Sequence, residues 1–344
     1  MSDDIHFERR GRAGVVTLDR MDQLNAVTHD MVRRLEDALV AWKDDEQVEH
    51  VVLKSVPGRA FSVGGDIRAL YEAKRKGEPD FRFFRDEYRL NARIRHFAKP
   101  YVSLIDGLVM GGGVGISING SHRIGGRMAF AMPECGIGFF PDVGASYILS
   151  RMRGCLGMEL GLTGRRLSTR ECLATGIATH LVEPDEIDAV AERLEKEALD
   201  AVLKDCVRRE DVTGLMEERQ EGNGAFAREG VGEIMERLED WGGSDGADIR
   251  RDLERKSPTS LMIAHEQITR GEGLSFADCM RMEFRIVSRV LEGHDFYEGI
   301  RAQIIDKDRD PKWDPASLEE IDPSEIARYF EPCGEELDLA GVAE

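Results

Sequence analysis

The 344-residue chain carries 66 Asp and Glu against 47 Lys and Arg, a formal net charge of −19 at pH 7. That balance argues against nucleic acid and anionic membrane surfaces as partners, and an anionic substrate would need a local basic patch. Apolar residues at 41% and charged residues at 33% fit a globular protein with ample chain for a core.

No apolar run approaches the roughly 18 residues of a membrane span. The start, MSDDIHFERR, lacks an apolar secretory stretch and is too acidic for a mitochondrial leader. Six scattered cysteines without C-x-x-C spacing suggest reduced thiols and no zinc or other metal site. The expected location is cytoplasmic.

In chain order, Ile5 to Glu8 and Gly14 to Leu18 read as two short strands around a GRAG turn. Thr28 is placed to cap a helix through Trp42, with Met31, Leu35, Ala38, Leu39 and Trp42 on one face. Val51 to Leu53 reads as a buried strand. Arg59 to Asp66 is a strand running into a glycine turn, with Asp66 as helix cap. Phe81 to Phe97 is a helix.

Tyr101 to Ile105 is a further buried strand, leading into Gly111-Gly112-Gly113 and a short helix. Two short strand-like pieces follow, then Glu134 and Asp142, eight residues apart in apolar surroundings. Helices are expected near 145–152, 155–162, 168–174, 185–204 and 210–220. Residues 205–252 read as a charged, flexible or small helical insertion. Clearer helices follow over 257–270, 276–291 and 295–305, with a short one near 324–330 and the last ten residues frayed. Strands early and helices late divide the chain into a core over 1–200, with the site, and a helical region over 201–344.

The two glycine turns each follow a strand and precede a helix. Triglycine admits close backbone approach, and main-chain N–H groups at a helix start can hold an anion. Two such N–H groups converging on one oxygen make an oxyanion hole, worth roughly 3 kcal/mol per donor. With the carboxylates nearby, these are parts for acyl chemistry. Taken singly, either turn reads more readily as packing glycine.

The chain resembles the crotonase (enoyl-CoA hydratase/isomerase) superfamily, and within it the 3-hydroxyisobutyryl-CoA hydrolases. The resemblance is carried in order by AFSVGGDIRALYE, FFRDEYRLN, KPYVSLIDGLVMGGGVG, FAMPECGIGFFPDVGASY, LTGRRL, GIATHLV and DFYEGIRAQIIDKDRDPKW. It implies an α/β fold, a spiral of ββα repeats with a helical C-terminal region. By position it implies oxyanion-hole amides at Val63 and Gly112, catalytic carboxyls at Glu134 and Asp142, and substrate contacts from Glu87, Gly112, Glu134 and Asp142. Val63 stands where relatives usually have Ala. Gly115 stands where hydratases carry their second glutamate, which argues against hydration.

The implied reaction is hydrolysis of a short branched 3-hydroxyacyl-CoA thioester, with no cofactor and CoA as part of the substrate. Glu134 could attack the carbonyl to give an anhydride, or deprotonate water. Asp142 could donate a proton or bind the substrate hydroxyl, and its alternative is a helix cap. The rivals are an enoyl-CoA hydratase/isomerase and a non-catalytic CoA-binding scaffold. The superfamily often forms trimers, so a homo-oligomer is compatible, although the long C-terminal portion could cover that surface.

Other motifs carry less. Gly242 to Gly246 matches G-x-S-x-G without a preceding strand and is expected to be a loop. His122 and His180 are expected to be packed or hydrogen-bonded. Arg20, Arg59 and the Lys307 to Lys312 stretch are candidates for CoA phosphates, though each is more simply surface charge.

Overall fold

The computed structural model describes residues 4–77, 81–208, 210–216, 224–227, 229–241, 243–332 and 334–342. Its strands are β1 (Ile5–Arg10), β2 (Ala13–Leu18), β3 (His50–Ser55), β4 (Ala60–Ser62), β5 (Tyr101–Met110), β6 (His122–Ala131) and β7 (His180–Leu181). They form one sheet in the order β1-β2-β3-β5-β6-β7, with β4 attached to β5. The β1–β2 hairpin is antiparallel and every other pairing is parallel. Val51, Val52, Leu53 and Tyr101 to Ile105 are buried as continuous apolar runs, as expected of parallel strands covered on both faces.

β5 organises the site. Its first residues, Tyr101 to Ser103, pair with β3, while Leu108 and Val109 pair with β4. The C-terminal ends of β4 and β5 therefore lie side by side, and the glycine turn leaving each strand meets the other. The helices α1 (His29–Lys43), α2 (Ile67–Arg75), α3 (Arg82–Arg95) and α4 (Gly112–Ser117) complete this half. Thr28 caps α1 by accepting the Met31 N–H at 3.2 Å, and Met31, Leu35, Leu39 and Trp42 are buried. Asp66 caps α2 through the Ala69 N–H. Helices Ala145–Ser150, Leu156–Thr163 and Pro258–Gly271 pack together, and Phe276–Val290 lies along α3.

Several elements differ from the sequence expectation. The two strand-like pieces after triglycine are one strand, β6. The expected 185–204 helix is two, Ile187–Leu194 and Leu199–Cys206. Both bury their apolar faces against the second core cluster. A five-residue step from Leu194 to Leu199 would turn the stripe by about 140° in one continuous helix, so a break restores the burial. The Gly242 to Gly246 segment is not a loop throughout, since a helix spans Gly243–Leu253. The helix expected over 210–220 extends onto residues outside the described set, as does Gly242. The tail is not frayed through residue 342: Leu337, Leu339 and Val342 are buried.

Candidate active site

One cavity of about 410 Å³ lies where the two glycine turns meet, and Val63, Glu87, Gly112, Glu134 and Asp142 all line it. The C-terminal region closes it with Lys256, Phe296, Gln303 and Ile304, so the site draws on both parts of the chain.

The glycines make room for specific groups. A Cβ on Gly112 would stand 2.7 Å from Glu87 Oε1 and 3.2 Å from the Gly65 nitrogen. A Cβ on Gly111 would stand 3.1 Å from the Gly64 Cα and 3.4 Å from Glu134 Oε1. Gly111, at φ 46°, precedes α4, so Gly112 is its first helical residue and its N–H has no intrahelical acceptor.

The expectation for Val63 needs correction: its N–H donates to the Leu24 carbonyl at 3.2 Å. Leu24 is left-handed, with φ 52°, which directs that carbonyl toward β4. The Val63 N–H is thus engaged here, and Gly65 is the turn residue whose nitrogen lies beside Gly112.

The three acids are buried: Glu87 is 2% exposed, Asp142 4% and Glu134 6%. None is a solvated surface acid. Asp142 does not cap the following helix with its side chain, because its Oδ2 accepts the Tyr88 hydroxyl at 2.8 Å. Burial pushes Glu134 well above the ordinary carboxyl range, and the Asp142 charge adds to this. Glu87 is pushed up by the same two causes. Asp142 is raised by burial, while the Tyr88 hydroxyl and its backbone contact pull back toward ionisation. Like charges sharing an apolar wall disfavour one another's ionisation. Glu87 Oε1 and Glu134 Oε2 have no hydrogen-bond partner among the described residues.

At Gly115 the space for a side chain is closed. A Cβ there would lie 2.8 Å from Asn91 Nδ2 and 2.9 Å from Val143 Cβ. Asn91 is fully buried, and neither amide atom has a partner among the described residues.

Tyr88, Asn91 and Lys256 were not singled out from the sequence. The i, i+4 spacing of Glu87 and Asn91 on α3 was the available signal, since both then face α4. Lys256 is the cation at the cavity wall, and it pairs with Asp252 at 3.0 Å. Arg20 and Arg59 do not line the cavity, whereas Arg309, Asp310 and Pro311 line a neighbouring pocket that shares Gly136, Lys256 and Gln303 with it. Arg20 pairs with Asp66 at 2.8 Å and Lys312 with Asp310 at 2.6 Å. His122 and His180 stack on one another with ring centroids 6.0 Å apart.

Known proteins resemble the chain over nearly its whole length. The Enoyl-CoA hydratase/isomerase family model matches residues 13–330. The rat protein named 3-hydroxyisobutyryl-CoA hydrolase, mitochondrial, is 40% identical, over 96% of this chain and 89% of its own. The human protein of that name is 38% identical, over 97% and 90%. A solved carnitinyl-CoA dehydratase from Mycobacterium thermoresistibile superposes with a TM-score of 0.94 at 36% identity, covering 99% of this chain and 100% of that one. A solved enoyl-CoA hydratase from Rhodobacter sphaeroides gives 0.89 at 37%, covering 96% and 98%. With the β4–β5 glycine turns and the sheet and helices around them, these matches establish that the chain belongs to the enoyl-CoA hydratase/isomerase family, the crotonase superfamily.

Proposed function

We propose that the protein hydrolyses 3-hydroxyisobutyryl-CoA, a short branched 3-hydroxyacyl-CoA thioester, to the free acid and CoA. The observation that carries this reading is the set of three buried carboxyls around the glycine turns, together with the closed space at Gly115. The rat and human relatives named for this hydrolase support the substrate.

In this scheme the thioester carbonyl accepts the Gly112 N–H and, as second donor, the Gly65 N–H beside it. Glu134, made basic by burial, either attacks the carbonyl carbon or takes a proton from the attacking water. The C–O bond forms to give a tetrahedral oxyanion, whose collapse breaks the C–S bond, and CoA leaves as thiolate or, taking a proton from Asp142, as thiol; on the covalent route water then cleaves the anhydride, which releases the free acid and restores Glu134. Glu87, with one unpartnered oxygen, accepts the substrate hydroxyl. Lys256 offers a positive charge to the CoA end. A cytoplasmic location is part of the proposal, although the curated relatives carry the word mitochondrial in their names.

A second reading, hydration of an enoyl-CoA, is favoured by the two solved relatives, a carnitinyl-CoA dehydratase and an enoyl-CoA hydratase. The experiment is thiol release across a panel of acyl-CoAs, with ultraviolet absorbance followed for crotonyl-CoA. 3-Hydroxyisobutyryl-CoA should release thiol fast. 3-Hydroxypropionyl-CoA, one methyl smaller, should be slower by roughly 10–200-fold. Acetyl-CoA should be poor because the buried acids lose their hydroxyl partner. Rapid hydration of crotonyl-CoA with no thiol from any hydroxyacyl-CoA would replace the first reading with the second.

A further inference from the structure

Asp142 sits in a loop whose backbone is held against its own preference. Val143, the next residue, has φ 55°. That is the left-handed region, which a β-branched side chain avoids. Such strain persists only where the surroundings over-determine it, and it clusters at functional sites.

Four buried side chains from four parts of the chain fix this loop. The Gln267 amide donates to the Pro141 carbonyl. Asn119 Nδ2 donates to the Val143 carbonyl at 3.0 Å and to the Gly115 carbonyl at 3.0 Å, tying the loop to α4. Glu283 accepts the Gly144 N–H at 2.8 Å and the Ser146 N–H at 2.9 Å. These three bind main chain. Tyr88, fully buried between the rings of Phe84 and Phe284, donates to the Asp142 carboxyl itself.

We infer that the Pro141 to Ser146 loop is a strained positioning device for Asp142, in which Tyr88 orients the carboxyl and Glu283 locks the backbone. The inference rests on the proposed hydrolase reading, in which Asp142 acts on the substrate. Tyr88 and Glu283 are positioning residues and act through Asp142.

The titratable groups facing Asp142 are Glu87 and Tyr88 on α3, Glu134 on the turn Glu134–Ile137, and Glu283 on the helix Phe276–Val290. Lys256 lines the same cavity. Burial favours protonation of Asp142, and its charge in turn raises Glu87, Glu134 and Glu283. The Tyr88 hydroxyl favours the ionised form of Asp142, so removing it moves the Asp142 titration to higher pH.

The test compares Asp142→Asn, Tyr88→Phe and Glu283→Gln for thiol release from 3-hydroxyisobutyryl-CoA across pH, beside the thermal midpoint. Tyr88→Phe keeps the ring and its packing. It should lower kcat between roughly tenfold and a hundredfold, the scale of a misplaced group, with KM little changed. The pH limb set by Asp142 should move upward. Glu283→Gln should lower kcat in the same range. A purely structural role predicts a lower midpoint with kcat and the limb unmoved; that result in Tyr88→Phe overturns the inference, whether or not Glu283→Gln folds. If Asp142→Asn is inactive while Tyr88→Phe behaves as wild type, the positioning device falls and the hydrolase reading stands. Full activity in Asp142→Asn removes the role of Asp142 itself, and the device with it.

Discussion

Glu134 illustrates how a reactive group is bought with fold stability. Its carboxyl holds a proton more tightly in the fold than in the unfolded chain, because burial and the Asp142 charge both penalise ionisation. The unfolded carboxyl ionises near its ordinary value of 4.5. As pH rises above that value the unfolded state releases its proton first, so this group's contribution falls until the folded carboxyl also ionises. Glu134→Gln removes the ionisation. It should raise the thermal midpoint at pH 8, with the gain fading toward pH 5, and lower turnover by at least about a hundredfold while thioester binding persists. Near-normal turnover would show that Glu134 is not the reacting group, and a midpoint lowered at pH 8 that its ionisation does not cost stability. The five residues carried over by resemblance could be named because each sits inside a contiguous motif. Tyr88 sits in the same FRDEY motif, yet its role depends on where the 141–144 loop passes, which no local pattern encodes. The engaged N–H of Val63 was hidden for a similar reason: it depends on Leu24 adopting a left-handed turn.

Among the elements, α3 and α4 pack as polar side chains against glycines, an inversion of ordinary helix packing. Glu87 lies over Gly112 and Asn91 over Gly115, one turn apart on each helix. Gly115→Ala would force a methyl to within 2.8 Å of Asn91 Nδ2 and 2.9 Å of Val143 Cβ. Overpacking of this kind costs about 1–3 kcal/mol. Asn91→Ala in the same chain should recover part of that, since it deletes both the obstructing amide and a buried group without partners among the described residues. Denaturant unfolding of the single and double variants tests this, and additive effects would mean that the two residues do not share the space. The same geometry predicts that Gly115→Glu gives no crotonyl-CoA hydration, because the carboxylate cannot enter. Strands and capped helices were legible because apolar runs and Thr28, Asp66 and Ser257 mark their bounds. The helix Gly243–Leu253 was not, since its glycines and aspartates have poor propensity and its burial of Leu253 is tertiary.

On the scale of the whole molecule, the end of the chain is part of the wall behind the site. The last ten residues were expected to fray, as chain ends commonly do. Their sparse apolar residues, Leu337, Leu339 and Val342, are buried with the main core. The acids just before them and the main chain between them meet arginines on α3 and on the helix Phe276–Val290. Arg85 on α3 pairs with Glu335 at 2.8 Å, Arg89 on α3 donates to the Asp338 carbonyl, and Arg285 pairs with Glu336 at 2.9 Å. Exposed pairs of this kind contribute little on their own. Apolar burial contributes more, about 1.5–3 kcal/mol for each of the three side chains as an upper range. Ending the chain at Glu331 should therefore lower stability by several kcal/mol and loosen α3, which carries Glu87 and Tyr88. Below the new midpoint, kcat should fall by more than KM rises, because substrate still enters the cavity while the acids are less well held. Leu339→Ala gives the same direction in a milder form, costing about 2–5 kcal/mol for a buried Leu, and serves where the shortened chain does not fold. An unchanged midpoint in Leu339→Ala would mean that the tail rests on the surface without belonging to the core.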